Sequence, residues 1–304
     1  MKELLTMNTL LLVLLLGCQG EPAVPPAPVA PVVPAAQTES AAQTESAAQT
    51  ESAAQTESAA QESVDAILDG MEAQGRTMKD FTASASMEKF ESLTDEREIR
   101  RGRVVVVGPS GAQRHIAIIF DETIDSSGRG STDSRRFIYS AGWLTEFDLA
   151  RKQAIRRQLA RAGEVFDPLR VGEGAFPVPL GQPKADVLRE FTATVAPLPD
   201  APFFKSLTPP SSDAKDVAAA STLVALRLVP RAGTPMARDT AAIVMVLERP
   251  LLAPRAVEVE AVNGDRTRVL LRNGTLNAGL EEWARALLEA PSTEGWKVDS
   301  RPME

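Results

Sequence analysis

Apolar and polar side chains alternate in many stretches of the chain beyond residue 80, which is the period of a β-strand. Phe81, Ala83, Ala85 and Met87 alternate with polar residues, so a strand there would have one apolar face. Comparable patterns predict further strands at 97–107, 113–121, 135–142, 143–148, 152–160, 221–229, 240–248, 255–263 and 266–273. Turn residues separate these segments, and the last two would form a hairpin over 257–272. Short turns between successive strands indicate an antiparallel sheet.

Helical spacing is confined to three segments. The first begins after Ser63, a suitable N-cap, and precedes Gly75. Its apolar residues are Val64, Ile67, Leu68 and Met71. Two more helices are predicted at 184–191 and 279–290. Because so few helices cannot cover both faces of the sheet, we expect the sheet to curl. The predicted fold class is mainly β with a few helices (α+β), as an incomplete antiparallel β-barrel, or half-barrel, with a helical lid.

The N-terminus has the pattern of an export signal. Lys2 precedes the apolar run LLLVLLL at 10–16, which is too short to span a bilayer. Residues 1–17 are therefore interpreted as a signal peptide. The segment ending in Gly17-Cys18 resembles a bacterial lipobox, which implies that Cys18 is lipidated, for example with palmitate, and becomes the first mature residue. Gln19 in place of Asp favours the outer membrane. An ordinary cleaved signal with an incidental Cys is the alternative.

Residues 18–62 have the composition of a disordered tether. A Pro-rich stretch at 22–34 is followed by the hexapeptide AAQTES, repeated over 35–58, and no aromatic residue occurs there. Such a segment lacks the apolar bulk that folding requires, and a period of six residues gives a helix no continuous apolar stripe. A repeat that binds a partner is the alternative. The folded domain is predicted at 63–301.

The scarcity of reactive side chains narrows the function. One Cys and one His cannot supply the paired ligands of a zinc site or a Cys-His catalytic couple. The net charge is −8, and residues 1–62, with seven Glu and one Lys, account for −6 of it, so no basic nucleic-acid surface is implied. His115 is interpreted as a surface or packed imidazole. We therefore expect that the protein is not an enzyme and that it has no catalytic residue, metal or cofactor. Among the possible functions, an enzyme acting on lipids or glycans ranks last.

Several segments together resemble the LolA and LolB family of periplasmic lipoprotein carriers. After the first helix come the run Lys79-Asp80-Phe81-Thr82-Ala83, the strand ending at Gly108-Pro109 and the pair Ile118-x-Phe120. The most recognisable part is FIYSAGWLTEFD at 137–148. The resemblance implies a half-barrel whose apolar cavity holds acyl chains. Family carriers have a basic residue before the turn proline that holds the lid closed, whereas this chain has Gly108; Arg103 or Arg114 could substitute in space.

A lipid cavity also has a physical basis in the strand pattern, since a buried acyl chain gains about 0.8 kcal/mol per CH₂. Each candidate could equally be a filled core residue, and the pattern leaves open which strand face looks inward. The candidate lipid-binding residues are Phe81, Met87, Val105, Ile118, Phe120, Phe137, Trp143 and Phe147.

The sequence thus favours a monomeric envelope lipoprotein on the periplasmic side of the outer membrane. Its expected partners are lipid or lipoprotein acyl chains, the membrane through the lipid anchor, and other proteins of envelope lipoprotein sorting. A structural or interaction module with a closed β-domain is the alternative function.

Overall fold

The sheet that the strand pattern predicts is continuous and has twelve strands. The computed structural model describes residues 64–303, except for 112, 162, 165, 172–177, 179 and 208–221. The strands are β1 (Asp80–Glu91), β2 (Glu96–Val107), β3 (His115–Ile124), β4 (Gly130–Ser140), β5 (Trp143–Asp148), β6 (Gln153–Gln158), β7 (Phe191–Ala196), β8 (Leu223–Pro230), β9 (Thr240–Glu248), β10 (Ala253–Ala261), β11 (Arg266–Leu276) and β12 (Lys297–Arg301). Cys18 and the tether at 18–62 lie outside the described residues.

The strands follow the order β12-β6-β5-β4-β3-β2-β1-β11-β10-β9-β8-β7 across the sheet. Neighbours are antiparallel, as expected from the short turns, except that β12 runs parallel to β6. The predicted hairpin is present, with Val257 opposite Val269. Because β7 and β12 pair on one side only, the sheet is open. The predicted fold class is confirmed: the domain is mainly β, with an unclosed sheet and helical elements.

Three α-helices accompany the sheet within the described residues: α1 at 64–77, α2 (Lys184–Glu190) and α3 (Glu282–Leu288). All three lie where helical spacing predicts them, and α3 is shorter than the predicted 279–290. In this part of the chain, no helix has the length and apolarity needed to cross a membrane.

Two short strands were not predicted. In β7, Phe191, Ala193 and Val195 do alternate with Thr. The strand follows α2 without a break, however, and Phe191 also fits the spacing of the predicted helix at 184–191. Every residue of β12 is exposed, so its sequence Lys-Val-Asp-Ser-Arg has no apolar face to display. An edge strand with neither face buried shows no alternation of apolar and polar residues in the sequence.

We name the two faces of the sheet after the helices that cover them. The α1 face carries a buried cluster that joins α1 and α2 to β7–β10 and includes Leu226, Met245 and Val257. The α3 face carries a second cluster, in which Ala284 and Leu287 pack on Val105, Ala117, Ile138 and Phe147. Residues directly opposite each other on paired strands share a face. The helices therefore cover parts of both faces, with α1 and α2 on one face and α3 on the other.

α1 continues through Gly75, the residue before which the sequence predicts its end. A Cβ atom at Gly75 would lie 2.6 Å from the Cα of Gly181, and one at Gly181 would overlap the Cα of Gly75. Gly181 also has φ +63. The two glycines thus allow direct backbone contact between the end of α1 and the segment before α2, which explains a glycine inside a helix.

We expect Gly181→Ala to destabilise the domain by at least about 3 kcal/mol, because the methyl group overlaps Gly75 and the backbone is left-handed. Gly163→Ala is the matched control, since Gly163 has φ +87 but no heavy atom within 4 Å of the position that a Cβ would take. Its cost should be about 1–2 kcal/mol. Urea unfolding of both variants measures the difference, and equal losses would contradict the packing role of Gly181.

Candidate lipid-binding surface

The eight candidate lipid-binding residues lie on both faces of the sheet. On the α3 face are Val105, Trp143 and Phe147. On the α1 face are Phe81, Met87, Ile118, Phe120 and Phe137, as the strand register shows. One cavity can be lined by only one of these groups. The larger group therefore defines the candidate surface, which we call the β1–β4 surface.

The β1–β4 surface is apolar and largely buried. Phe120 and Phe137 meet edge to face, with ring centroids 6.1 Å apart. Phe81 is fully buried, whereas Met87 is half-buried. Tyr139 extends the surface toward Phe166, whose ring centroid is 6.1 Å away. Phe166 belongs to the segment between β6 and α2, which therefore supplies part of the cover.

α1 covers the neighbouring part of the same face, over β7–β10. Its four predicted apolar residues, Val64, Ile67, Leu68 and Met71, are at most 2% exposed. Polar contacts hold the helix at its edges: Gln74 Nε2 donates to the Leu251 carbonyl at 2.8 Å, and Lys184 Nζ lies 3.1 Å from Asp69. The amide of Ser110 donates to the Gly75 carbonyl at 2.9 Å. Lys184 Nζ also lies 3.4 Å from Asp65, so α1 is attached by its apolar side chains and by polar contacts along its length.

Arg114 is the cation at the junction of these covers. Its side chain is fully buried, its Nη1 lies 3.0 Å from Asp167 Oδ1, and its Nη2 donates to the Leu180 carbonyl at 2.6 Å. Asp167 also accepts from the amides of Gly111 and Leu169. Of the two residues named as spatial substitutes for a basic residue at Gly108, Arg114 therefore contacts the cover of the β1–β4 surface. Arg103 lies on the other face, 5.0 Å from the Trp283 ring centroid.

Burial dominates the electrostatics of this pair. It raises the pKa of Asp167 even though the charge of Arg114 and three hydrogen bonds act in the opposite direction. Burial likewise lowers the pKa of Arg114. Both shifts favour the neutral forms, so the pair is costly to desolvate. Its contribution is to position the chain segments that converge on it.

The α3 face is held differently. The Arg136 guanidinium donates to the carbonyls of Ala286, Leu287 and Glu289, at the C-terminal end of α3. A cation there also complements the negative end of the helix. His115 reaches the same end through the backbone of Leu288. Sequence reasoning missed Arg136, since an Arg inside a strand has the pattern of a solvated residue until its partner is known.

Carboxylates that are close together in the sequence do not converge on one site. Glu122 pairs with Arg101 at 3.1 Å, while Asp125 accepts hydrogen bonds from Ser127 and Arg129 within its own turn. These bonds lower the pKa of Asp125. Asp148 lies 3.6 Å from Arg151. Among the described residues, no group of three or more His, Cys, Asp or Glu side chains is placed to hold a metal ion.

Sequence comparisons leave the family open, because no family model and no curated protein matches the chain. Structural comparison gives distant similarities. A candidate outer membrane lipoprotein-sorting protein domain from Vibrio parahaemolyticus is 13% identical, with a TM-score of 0.34, over 75% of this chain and 99% of the other. A LolA superfamily protein from Nitrosomonas europaea is 10% identical, with a TM-score of 0.30, over 72% and 96%.

The MucA/MucB complex of Pseudomonas aeruginosa contains a third similar chain, 12% identical with a TM-score of 0.41. That alignment covers 76% of this chain and 62% of the other. At such identities and TM-scores, the similarities carry no inference about what this chain does. Its function must therefore be inferred from its own residues.

Arg114→Met should destabilise the domain by about 3–5 kcal/mol, because it leaves the buried Asp167 without its cation. The double variant Arg114→Met/Asp167→Leu should recover much of that loss. Arg101→Met is the matched control: its pair with Glu122 is exposed, and we expect a loss below about 1 kcal/mol. Chemical denaturation measures all three, and equal losses for the two single variants would refute a junction role for Arg114.

Burial lowers the pKa of His115, against the opposing effect of its bond to the Leu288 backbone. The unfolded chain, with a His pKa of about 6.5, therefore takes up the proton first as the pH falls. Stability should decrease from about pH 6.5 down to the folded-state pKa. Since the chain has one His, its NMR titration is unambiguous. His115→Gln should remove this part of the pH dependence, and an unchanged profile would contradict the assignment.

Proposed function

We propose that this chain is a cell-envelope lipoprotein that binds acyl chains of a lipid or lipoprotein on the α1 face of its half-barrel. Its role would be carriage or reception at the outer membrane. One observation carries the proposal: over β7–β10 that face is covered by an amphipathic helix, α1, whose four apolar side chains are almost completely buried.

A helix bound in this way can be exchanged for a lipid. Burying four aliphatic side chains gives about 6–12 kcal/mol as an upper estimate. An acyl chain that buries about 14 CH₂ groups gives about 11 kcal/mol. Since the two energies are similar, a single acyl chain could offset the apolar contact that α1 loses when it is displaced. Strands β8–β10 underneath pair with neighbours on both sides and would stay in place.

The N-terminal sequence supports the proposed location. Cys18 in its lipobox-like context would anchor the protein, and Gln19 favours the outer membrane. The 44 residues at 19–62 would extend over roughly 33–40 Å as a flexible coil. That length would let the domain reach lipid or other sorting proteins on the periplasmic side while the anchor stays in the membrane. The activity we propose is binding, without catalysis.

A second function, a closed module that binds a protein partner, is favoured by a different observation. Phe81 is 0% exposed and Phe120 and Phe137 are also buried, as in a fully packed core. Native mass spectrometry of protein purified from envelopes separates the two proposals. Co-purified lipid supports the first, and a protein without lipid at every purification stage supports the second.

Weakening the helix should have opposite effects on stability and on binding. Leu68 is fully buried in the cluster that joins α1 to the sheet. We expect Leu68→Ala to lower the free energy of unfolding by about 2–5 kcal/mol. It should also tighten the binding of a fluorescent long-chain fatty acid, because less energy is needed to displace α1.

Phe137→Ala is the contrasting variant, since Phe137 lies on the β1–β4 surface. It should lower stability by a similar amount and weaken fatty-acid binding. If both variants weaken binding in proportion to their loss of stability, α1 is an ordinary core element and the proposed exchange is wrong.

A further inference from the structure

A buried arginine adjoins the β1–β4 surface. Arg100 is 5% exposed and lies opposite Met87 on paired strands, so it shares the α1 face. Its guanidinium carbon lies 6.0 Å from the ring centroid of Phe120, which in turn contacts Phe137. Arg100 thus lies beside two of the candidate lipid-binding residues and one ring away from a third.

One donor of this arginine has no acceptor. Its Nε donates to Glu98 Oε1 at 2.7 Å, and Asp133 Oδ2 is 4.0 Å from Nε. Its Nη1 is buried and has no hydrogen-bond partner among the described residues. Asp133 accepts hydrogen bonds from the Thr123 hydroxyl and from the amides of Ser134 and Arg135. A buried N–H of a charged group without an acceptor is costly, so an acceptor from outside the chain would be bound favourably.

The charges around Arg100 select the kind of acceptor. Arg100 and Arg135 are balanced by Glu98 and Asp133, which lie within 4.0 Å of one or other guanidinium. The group is therefore formally neutral. A phosphate or free carboxylate would add an uncompensated charge at a buried position, whereas a carbonyl oxygen would accept the hydrogen bond without adding charge.

We propose that Arg100 Nη1 donates a hydrogen bond to the ester carbonyl of a glyceride-type acyl group whose hydrocarbon chain lies against Phe120 and Phe137. Fatty acyl esters of glycerol combine the two properties that this position requires: an apolar chain and a neutral acceptor at its end. The ester can belong to a free diacylglycerol or to the diacylglyceryl group of a lipidated peptide. This inference rests on the proposed function and adds the substrate class.

The test compares ligands that differ only at the carbonyl. The full-length protein is titrated with dipalmitoylglycerol and with its dihexadecyl ether, and then with a diacylglyceryl-cysteine peptide and its dialkyl ether. We expect each ester to bind about tenfold or more tightly than its ether, the effect of one hydrogen bond to a charged donor. The pair that shows the larger ratio identifies the source of the ester.

Arg100→Met should reduce the ester-to-ether ratio to about one. Arg101→Met is the control: Arg101 is the next residue of β2, lies on the opposite face and is exposed, and its variant should keep the wild-type ratio. Because the ligand comparison on the wild-type protein needs no substitution, an unstable Arg100 variant does not prevent the test.

Each outcome has a separate meaning. Equal binding of ester and ether by the wild-type protein overturns the role of Arg100 while leaving acyl-chain binding intact. Failure of all four ligands to bind overturns both the inference and the proposed function. An Arg100-dependent preference for phosphatidic acid over diacylglycerol would show that the position binds an anion, and it would also overturn the inference.

Discussion

The buried pair of Arg114 and Asp167 is the constraint on which the α1 face depends. Around it meet the β2–β3 turn through Gly111, the segment before α2 through Leu180, and the end of α1 through Gly181 and Gly75. Ion pairs removed from water return little net stability. In agreement with this, burial shifts the pKa of each partner toward its neutral form. The pair acts mainly on geometry. Its hydrogen bonds, together with the contact between Gly75 and Gly181, fix how these segments lie against each other. Without the pair, the segments that cover the sheet would lose the contact that they share.

The helices α1 and α3 are attached to opposite faces of the sheet in different ways. α3 is held on its face by an apolar cluster and by Arg136 at its C-terminal carbonyls. α1 has a larger apolar contact, and most of its polar contacts with the rest of the domain are made by its side chains, to Lys184 and to the Leu251 carbonyl. Apolar contact is not directional and can be replaced by any apolar surface of similar area, such as an acyl chain. Hydrogen bonds to helix carbonyls cannot be replaced in this way. In the proposed function, α1 is therefore the element that a lipid displaces, and α3 stays in place.

The candidate surface could be predicted only in part. Period-two alternation marks the eight candidate residues as apolar strand positions, and all of them except Met87 and Trp143 are buried. Alternation assigns residues within a strand to opposite faces, but it cannot relate the faces of different strands. Val105 and Phe147 were therefore grouped with Phe120 although they lie on the other side. Register, which depends on turns and bulges, decides that relation.

Local sequence determined what depends on neighbouring residues along the chain: ten strands, three helices, the hairpin at 257–272 and the antiparallel order, because periodicity and turn chemistry act over a few residues. The tertiary structure decided what depends on distant residues. It brought Arg114 to Asp167, Arg136 to the end of α3, Gly75 to Gly181, and Arg100 to a place where one donor has no partner among the described residues. A charged or glycine residue has the same local signal whether it is solvated or buried. Only its partners, which lie far away in sequence, distinguish the two.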